Sequence, residues 1–595
     1  MPNKKTIEDR SNTGRFSNLF GRGFPKRTLE LSFTRSPSSK RAKKPETSRS
    51  SISSDLRKLS KNTNGTLEKI KKDLSVFNAY PVTYKQRVEL TALYWKHIYV
   101  ASVSLIQTYS KEGTMPDDAQ RAQLLDLSIE NLRHIRRSYE LLFMHDYSLP
   151  NWRYGKARKQ LFDSSFRIME IVHLEQQVAA LRYRPLAANS WQSLNKIFSI
   201  MDAYEHVGFE QLLTRSMIRP EGAKKYGTIK EFYLRVQLAG YFDLLRYPTL
   251  QQHSLDAYIG AQVKKLTVSE LEKDSELDSN TLLIGDNQDH APKLQSRFSE
   301  QNFPGKVVNI TSLKSNIATL LKERIQVTDI KNSSISKTSG LLKIPANFTS
   351  LLFLMYTKIS GRLGEDTPAH TREASDIVLY CGFKECFQLK VDDQRPPEQR
   401  RILAEYLAER SSFIGEDEKS VATTLWHKLY SDTKTILLQT EETRYSIQMS
   451  VGWLTAYSYG GRNGRLHTIA AVSKFERLSN RQINIELKII GDHAEAVRFI
   501  DLNAETEDSK QRKCPAFLLE GSGQWRMIVH SNHVSKRLRD IQLLRNGKII
   551  ELSLGNLQMA TQEFSVFRLT GAAIASLEPL FKESVSVEVK QQLFA

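Results

Sequence analysis

The stretch Thr443–Tyr457, "TRYSIQMSVGWLTAY", decides how this chain is read. Its β-branched and aromatic residues predict a strand. The "GGRNGR" at 460–465 supplies the positive-φ residues of a hairpin turn, and "LHTIAAVSKFERL" at 466–478 predicts the returning strand. A pair of this kind belongs to an antiparallel sandwich or barrel, so the question is what else in the chain has the same texture.

Outward from this pair the final third continues in short apolar and aromatic runs separated by Gly, Asn and Ser. "SDIVLYCGFKECFQL" at 375–389 precedes it. "RQINIELKIIG" at 481–491 and "EAVRFIDL" at 495–502 follow, then "QWRMIVHS", "GKIIELSL" and "EFSVFRL" as far as residue 569. Within "INIELKII" the alternation puts Ile485, Leu487 and Ile489 on one side. Between the first two strands, "PPEQRRILAEYLAERSSF" and "VATTLWHKLY" read as a helical insertion over 395–430.

The first half has a helical period instead. Leu90, Tyr94, Ile98, Ala101 and Leu105 share one helix face, as do Leu125, Ile129, Leu132, Ile135, Tyr139 and Leu142. Further helices are predicted over 156–182, 190–216 and 228–246, with Pro116, Pro150 and Pro185 marking breaks. Polar sequence from 268 to 305 marks a linker, followed by "GKVVNIT" as a strand and "SLKSNIATLLKERI" as a helix. The fold class is therefore α+β in separate domains. It comprises a basic disordered tail (1–54), an all-helical N-terminal domain (55–265) and a linker (266–339). An antiparallel six-stranded β-barrel with its helical insertion (340–505), a further small β subdomain (512–570) and a C-terminal tail (571–595) complete it.

At 595 residues the chain exceeds a single ordinary core. It carries 86 Lys and Arg against 66 Asp and Glu, a net charge of +20, of which residues 1–50 contribute +9 from 13 basic and 4 acidic residues. That Ser- and Pro-rich segment buries too little apolar surface to offset its ordering entropy. It reads as a solubilising tail, with contact to nucleic acid or an anionic surface through residues 1–53 and a targeting signal as the alternatives. No apolar run reaches the roughly 18 residues of a membrane helix. Cys381, Cys386 and Cys514 form no disulfide framework, which suits a reducing compartment and a cytoplasmic location.

Signatures of phosphoryl transfer and hydrolysis are missing from the sequence, namely G-x-x-x-x-G-K-[ST], G-x-S-x-G, H-E-x-x-H and a kinase-type H-R-D. His530 and His533 with Cys514 come nearest to a metal set but lack its spacing. His97, His134 and His173 sit on helix faces as packed or surface residues. Neither a catalytic residue, a metal site nor a cofactor is assigned, and the chain is read as not an enzyme.

The order of these segments, with "FYLRVQLAGYFDLLRYPTLQQHSLDAYI" before a strand ending "VLYCGF" and then the serine-containing strand, resembles divergent bacterial PilZ-domain proteins that place a helical region before the barrel. The resemblance implies a cyclic di-GMP pocket with R-x-x-x-R entering the barrel and [DN]-x-S-x-x-G on a strand. Arginine forks would grip phosphate and guanine edges there. Here Arg362 and Arg372 are separated by nine residues where the motif has three, so Arg372 alone fits an arginine position. Arg444, Ser446 and Met449 stand at the acid or amide, serine and glycine places. The ligand candidates are Arg372, Arg444 and Ser446, in an eroded motif. The leading expectation is a cytosolic signalling or adaptor protein acting through an unidentified protein partner. The alternatives are a cyclic di-GMP receptor and a nucleic-acid-binding protein using the basic tail and helical arginines.

Overall fold

The computed structural model describes residues 43–59, 62–112, 119–150, 152–203, 208, 211–212, 226–271, 278–294, 305–326, 348–360, 376–394, 424–432, 434–441, 449–459, 467–478, 481–491, 494–504, 512–521, 524–534 and 538–577. They divide into two compact units, residues 1–244 with 249–314 and residues 245–248 with 315–595.

The first unit opens with α1 (Arg49–Lys58). The helix takes in the last six residues, 49–54, of the tail expected to be disordered, while residues 1–42 of that tail lie outside the described residues. Ser48 caps the helix from its side chain, and Ile52 and Leu56, four residues apart, are buried. Then come α2 (Thr63–Ala79), α3 (Tyr84–Glu112), α4 (Ala119–Ser148), α5 (Gly155–Leu181) and α6 (Ser190–Asp202). The six apolar positions predicted for one face of α4 are all buried, as are Leu90, Tyr94, Ile98 and Leu105 of α3. The helix expected over 190–216 stops at Asp202. Beyond it β1 (Gln211–Leu212) pairs with β2 (Tyr226–Gly227). α7 (Ile229–Phe242) starts on a capping box between Thr228 and Glu231, and α8 (Thr249–Gln262) follows a short 3-10 turn.

Residues 266–309 hold more structure than a linker. β3 (Val268–Glu270), β4 (Thr281–Gly285), β5 (Lys293–Leu294) and β6 (Gly305–Asn309) form a four-stranded antiparallel sheet in the order β3-β6-β4-β5. Lys306 on β6 is buried and donates to Asp202 at 2.9 Å and Glu270 at 2.6 Å, over the ring of Phe198. α9 (Thr311–Gln326) follows, and the division between the units falls inside it.

The second unit contains α10 (Phe348–Ile359) and two closed six-stranded antiparallel barrels. The first is built from β7 (Asp376–Cys381), β8 (Thr424–Ser431), β9 (Thr435–Glu441), β10 (Leu454–Tyr459), β11 (Thr468–Arg477) and β12 (Gln482–Gly491). Its order is β10-β11-β12-β9-β8-β7, closed by β7 against β10. The run after Cys381 is not strand. Gly382, at φ +99°, turns the chain into α11 (Phe383–Asp393). β8 corrects the helical insertion, because residues 424–430 are strand while 395–423 lie outside the described residues. Alternation along β12 buries Ile483, Ile485 and Leu487 in the barrel. Ile489 beyond them is only half-buried, and Ile490, on the opposite face, packs into the apolar cluster shared with the second barrel.

The second barrel comprises β13 (Ala494–Asp501), β14 (Cys514–Gly521), β15 (Gln524–His530), β16 (Asp540–Arg545), β17 (Lys548–Ala560) and β18 (Phe564–Thr570). Its order is β13-β14-β15-β18-β17-β16, closed by β13 against β16. "EAVRFIDL" is thus its first strand and not the last of the preceding barrel, so the small β subdomain expected from residue 512 is a complete barrel. Its core holds Phe499, Leu518, Met527, Val529, Ile541, Leu543 and Leu569.

The two barrels share an apolar cluster. Phe383, Cys386, Leu454, Ile469 and Ile490 pack with Phe517, Leu519, Ile528, Phe564 and Val566. Glu563, in the turn between β17 and β18, reaches across. Its carboxylate accepts the backbone N–H of Phe383, at the start of α11, and of Leu454, at the start of β10, each at 2.6 Å. Burial, opposed by these two donors, pushes Glu563 up to about 7.

Candidate functional site

Arg372, Arg444 and Ser446 all lie outside the described residues, as does the "GGRNGR" loop. Their neighbour Met449, at the glycine place of the motif, is described and is 2% exposed. A buried thioether there occupies space in which the implied pocket needs backbone close to a ligand.

A looser run, with glutamate for the Asp or Asn and Asn556 at the glycine place, lies on β17 of the second barrel. Glu551-Leu552-Ser553-Leu554-Gly555-Asn556 sets an acid and a serine two apart, with glycine one place before the expected position. Leu552 and Leu554 point into the core, so Glu551 and Ser553 face outward. The strand pairs Ser553 with Asp540 on β16 and Thr570 on β18. The Ser553 hydroxyl donates to Asp540 Oδ1 at 2.7 Å, and Gln542 donates to Glu551 Oε1 at 3.1 Å. Gly555 sits against β18, where a Cβ would lie 2.7 Å from Thr570 Cγ2 and 3.1 Å from the Arg568 carbonyl oxygen. Only glycine fits this approach. The result is an outward polar patch of acid, amide and hydroxyl groups on a rigid sheet. The signal missed in the sequence is the E-x-S-x-G run inside "GKIIELSLGN".

The first unit buries several ionic groups, each with partners inside the fold. His173 Nε2 meets Asp256 Oδ1 at 2.7 Å and Gln177 at 3.1 Å, and Asp256 also pairs with Arg235. Desolvation lowers His173, while Arg235 and His173 overcome burial to hold Asp256 below the usual carboxylate range. The ring's described partners are an acid and an amide, so the group ties α5, α7 and α8 together. Glu175 likewise bridges Arg133 and Arg136, each at 3.0 Å. Arg87 is fully buried and donates to Tyr80 O at 3.2 Å, Asn78 Oδ1 at 3.4 Å and Phe77 O at 3.5 Å, capping the carboxyl end of α2. Burial and the nearby Arg137 charge push it down to about 9.

Among the described residues no group of three or more His, Cys, Asp or Glu is arranged to hold a metal ion. Cys381, Cys386 and Cys514 are free and buried, with burial raising all three thiols. His530 and His533 have ring centroids 5.8 Å apart. No described helix is long and apolar enough to cross a membrane.

A helical region followed by closed β-barrels is the architecture that the PilZ resemblance implies. No curated protein and no solved structure gives a significant match to this chain. Residues 56–274, from within α1 to just beyond β3, match the family described as the cyclic-di-GMP receptor FimW, N-terminal domain.

Proposed function

We propose that this chain is a non-catalytic cytosolic receptor for cyclic di-GMP, passing ligand occupancy to a protein partner. The observation that carries the reading is the match of residues 56–274 to the N-terminal domain of a cyclic-di-GMP receptor, in a chain that continues into closed β-barrels. The polar face of β17 around Glu551 and Ser553 is the preferred seat of the ligand. Its residue pattern approximates the acid-x-serine motif, and its strand is held in a closed sheet, so little ordering entropy is spent on binding. The first-barrel candidates Arg372, Arg444 and Ser446 form the second seat, disfavoured by the buried Met449 side chain.

Titration calorimetry of the full chain with cyclic di-GMP tests both parts. Micromolar or tighter binding is expected. Ser553→Ala should weaken it about fivefold, the worth of one hydrogen bond of ~1 kcal/mol. Arg372→Ala should leave it within twofold. A flat wild-type titration refutes the receptor reading, and loss on Arg372→Ala alone moves the ligand to the first barrel.

A further inference from the structure

Two of the large apolar residues that stand exposed among the described residues, Leu502 and Ile549, lie on one wall of the second barrel. Phe499 of β13, Leu543 of β16 and Leu552 of β17 point into the core, so their sequence neighbours on these three adjacent strands face outward. The register arranges the outward residues in rows. Arg498, Leu544 and Ile549 form one row, and Ile500, Gln542 and Glu551 form the next. Leu502 donates its backbone N–H to the Asp540 carbonyl oxygen at 3.0 Å, and Asp540 pairs with Ser553, which makes a third row. Ile549, Leu544, Ile500 and Leu502 therefore run as a diagonal across the three strands, in steps of about 5–8 Å. Ile549 is 62% exposed and Leu502 36%, with Leu544 and Ile500 half-buried between them. Single apolar residues on a surface need no account, but a contiguous strip marks a contact face.

Charge is divided across this strip. Arg498 stands exposed on one side, with no ion-pair partner among the described residues. Glu551 and Asp540 stand on the other, where Glu551 accepts from the neutral Gln542 amide at 3.1 Å and Asp540 from the Ser553 hydroxyl at 2.7 Å. A face with opposite signs on the two sides of an apolar line is its own complement. A two-fold axis along the diagonal from Ile549 to Leu502 sets each of these residues against its copy and brings Arg498 of each chain over the acidic side of the other.

We infer that this wall of the second barrel is a self-association surface whose occupant is a second copy of the chain, docked as an isologous dimer. The wall of a closed barrel is convex, so the contact stays below the ~800 Å² per partner of a permanent dimer and the association is weak and reversible. Glu551 also belongs to the ligand seat proposed above, so bound dinucleotide and a second copy exclude one another. That consequence, unlike the dimer itself, rests on the receptor reading.

Sedimentation velocity of the full chain over about 2–200 µM tests the inference, with and without cyclic di-GMP. The buffer holds ~0.15 M salt, which screens the repulsion between two chains of net charge +20. A monomer–dimer equilibrium with a dissociation constant of about 10–100 µM is expected. Ile549→Lys should raise that constant about tenfold or more while leaving the melting temperature of the dilute monomer unchanged, because the side chain is exposed. Arg498→Glu and Glu551→Arg should each weaken association, and the two together should restore it to within about threefold of wild type, as a contact elsewhere on the chain would not. Monomer at every loading, or a dimer that Ile549→Lys leaves within twofold, overturns the inference. A dimer that forms yet ignores a dinucleotide shown to bind by calorimetry removes the ligand from β17 and leaves the self-association surface standing.

Discussion

Glu563 is the contact whose removal gives the most informative result. Its carboxylate accepts two backbone N–H groups across the seam between the barrels, at the first residue of α11 and the first of β10. Glu563→Ala leaves both donors unpaired, and a buried orphan donor costs ~1–3 kcal/mol. The pH dependence supplies the second handle. The folded value of about 7 lies above the ordinary value of 4.5, so the side chain's contribution is complete below pH 4.5 and is lost as pH rises through 7. The difference between the two values corresponds to about 3 kcal/mol. The alanine variant lacks this titration, so its deficit, which includes the two orphaned donors, should be about 2–3 kcal/mol smaller at pH 8 than near pH 5. Because a chain of this size does not unfold in two states, local opening is the appropriate readout. Hydrogen–deuterium exchange of the full chain, corrected for the intrinsic pH dependence of exchange, should show residues 383–393 and 454–459 exchanging about 100-fold faster in the variant at pH 5. A deficit that grows with pH would show that the carboxylate is ionised in the fold and that its two donors outweigh burial.

Three further outcomes follow from the first unit. Gly240→Ala places a Cβ against the indole of Trp191 and 3.0 Å from Ala291 Cβ, so overpacking of ~1–3 kcal/mol should exceed the gain in helix propensity and lower the first thermal transition. Arg87→Ala strips the end of α2 of its buried donors and opens a cavity, for an expected loss of about 2–4 kcal/mol in urea unfolding followed by helical ellipticity. Lys306→Met removes the cation between Asp202 and Glu270. Glu270 is largely exposed and re-solvates, so the cost should stay near 1–2 kcal/mol, and a neutral result would mean that the ion pair only offsets its own desolvation.

The helical faces were legible because burial there follows a single period. Leu125, Ile129, Leu132, Ile135, Tyr139 and Leu142 all meet the core that their spacing implies. α1 was hidden by composition, since Ile52 and Leu56 are two apolar residues in a Ser-, Lys- and Arg-rich segment. β8 was hidden because its buried positions include Lys428 beside Trp426, which breaks the apolar alternation of a strand. The second barrel escaped for a topological reason. β13 pairs with β16, and β15 with β18, across more than 30 residues, and no local pattern announces such partners. The polar patch of β17 was readable as a motif but lay in a segment taken for an accessory sheet. The apolar diagonal across β13, β16 and β17 becomes visible only once the register is known.

Closure of both barrels limits how another polypeptide can dock on them. Each strand already has a neighbour on either side, so no row of free amide and carbonyl groups is offered for an incoming segment to extend the sheet. Recognition at the barrels must read side chains on a curved wall, which favours a folded binder over an extended tail. Among the described strands, unfinished edges remain on the outer strands β3 and β5 of the small open sheet and on the two-residue pair β1 and β2, and strand addition would have to begin there.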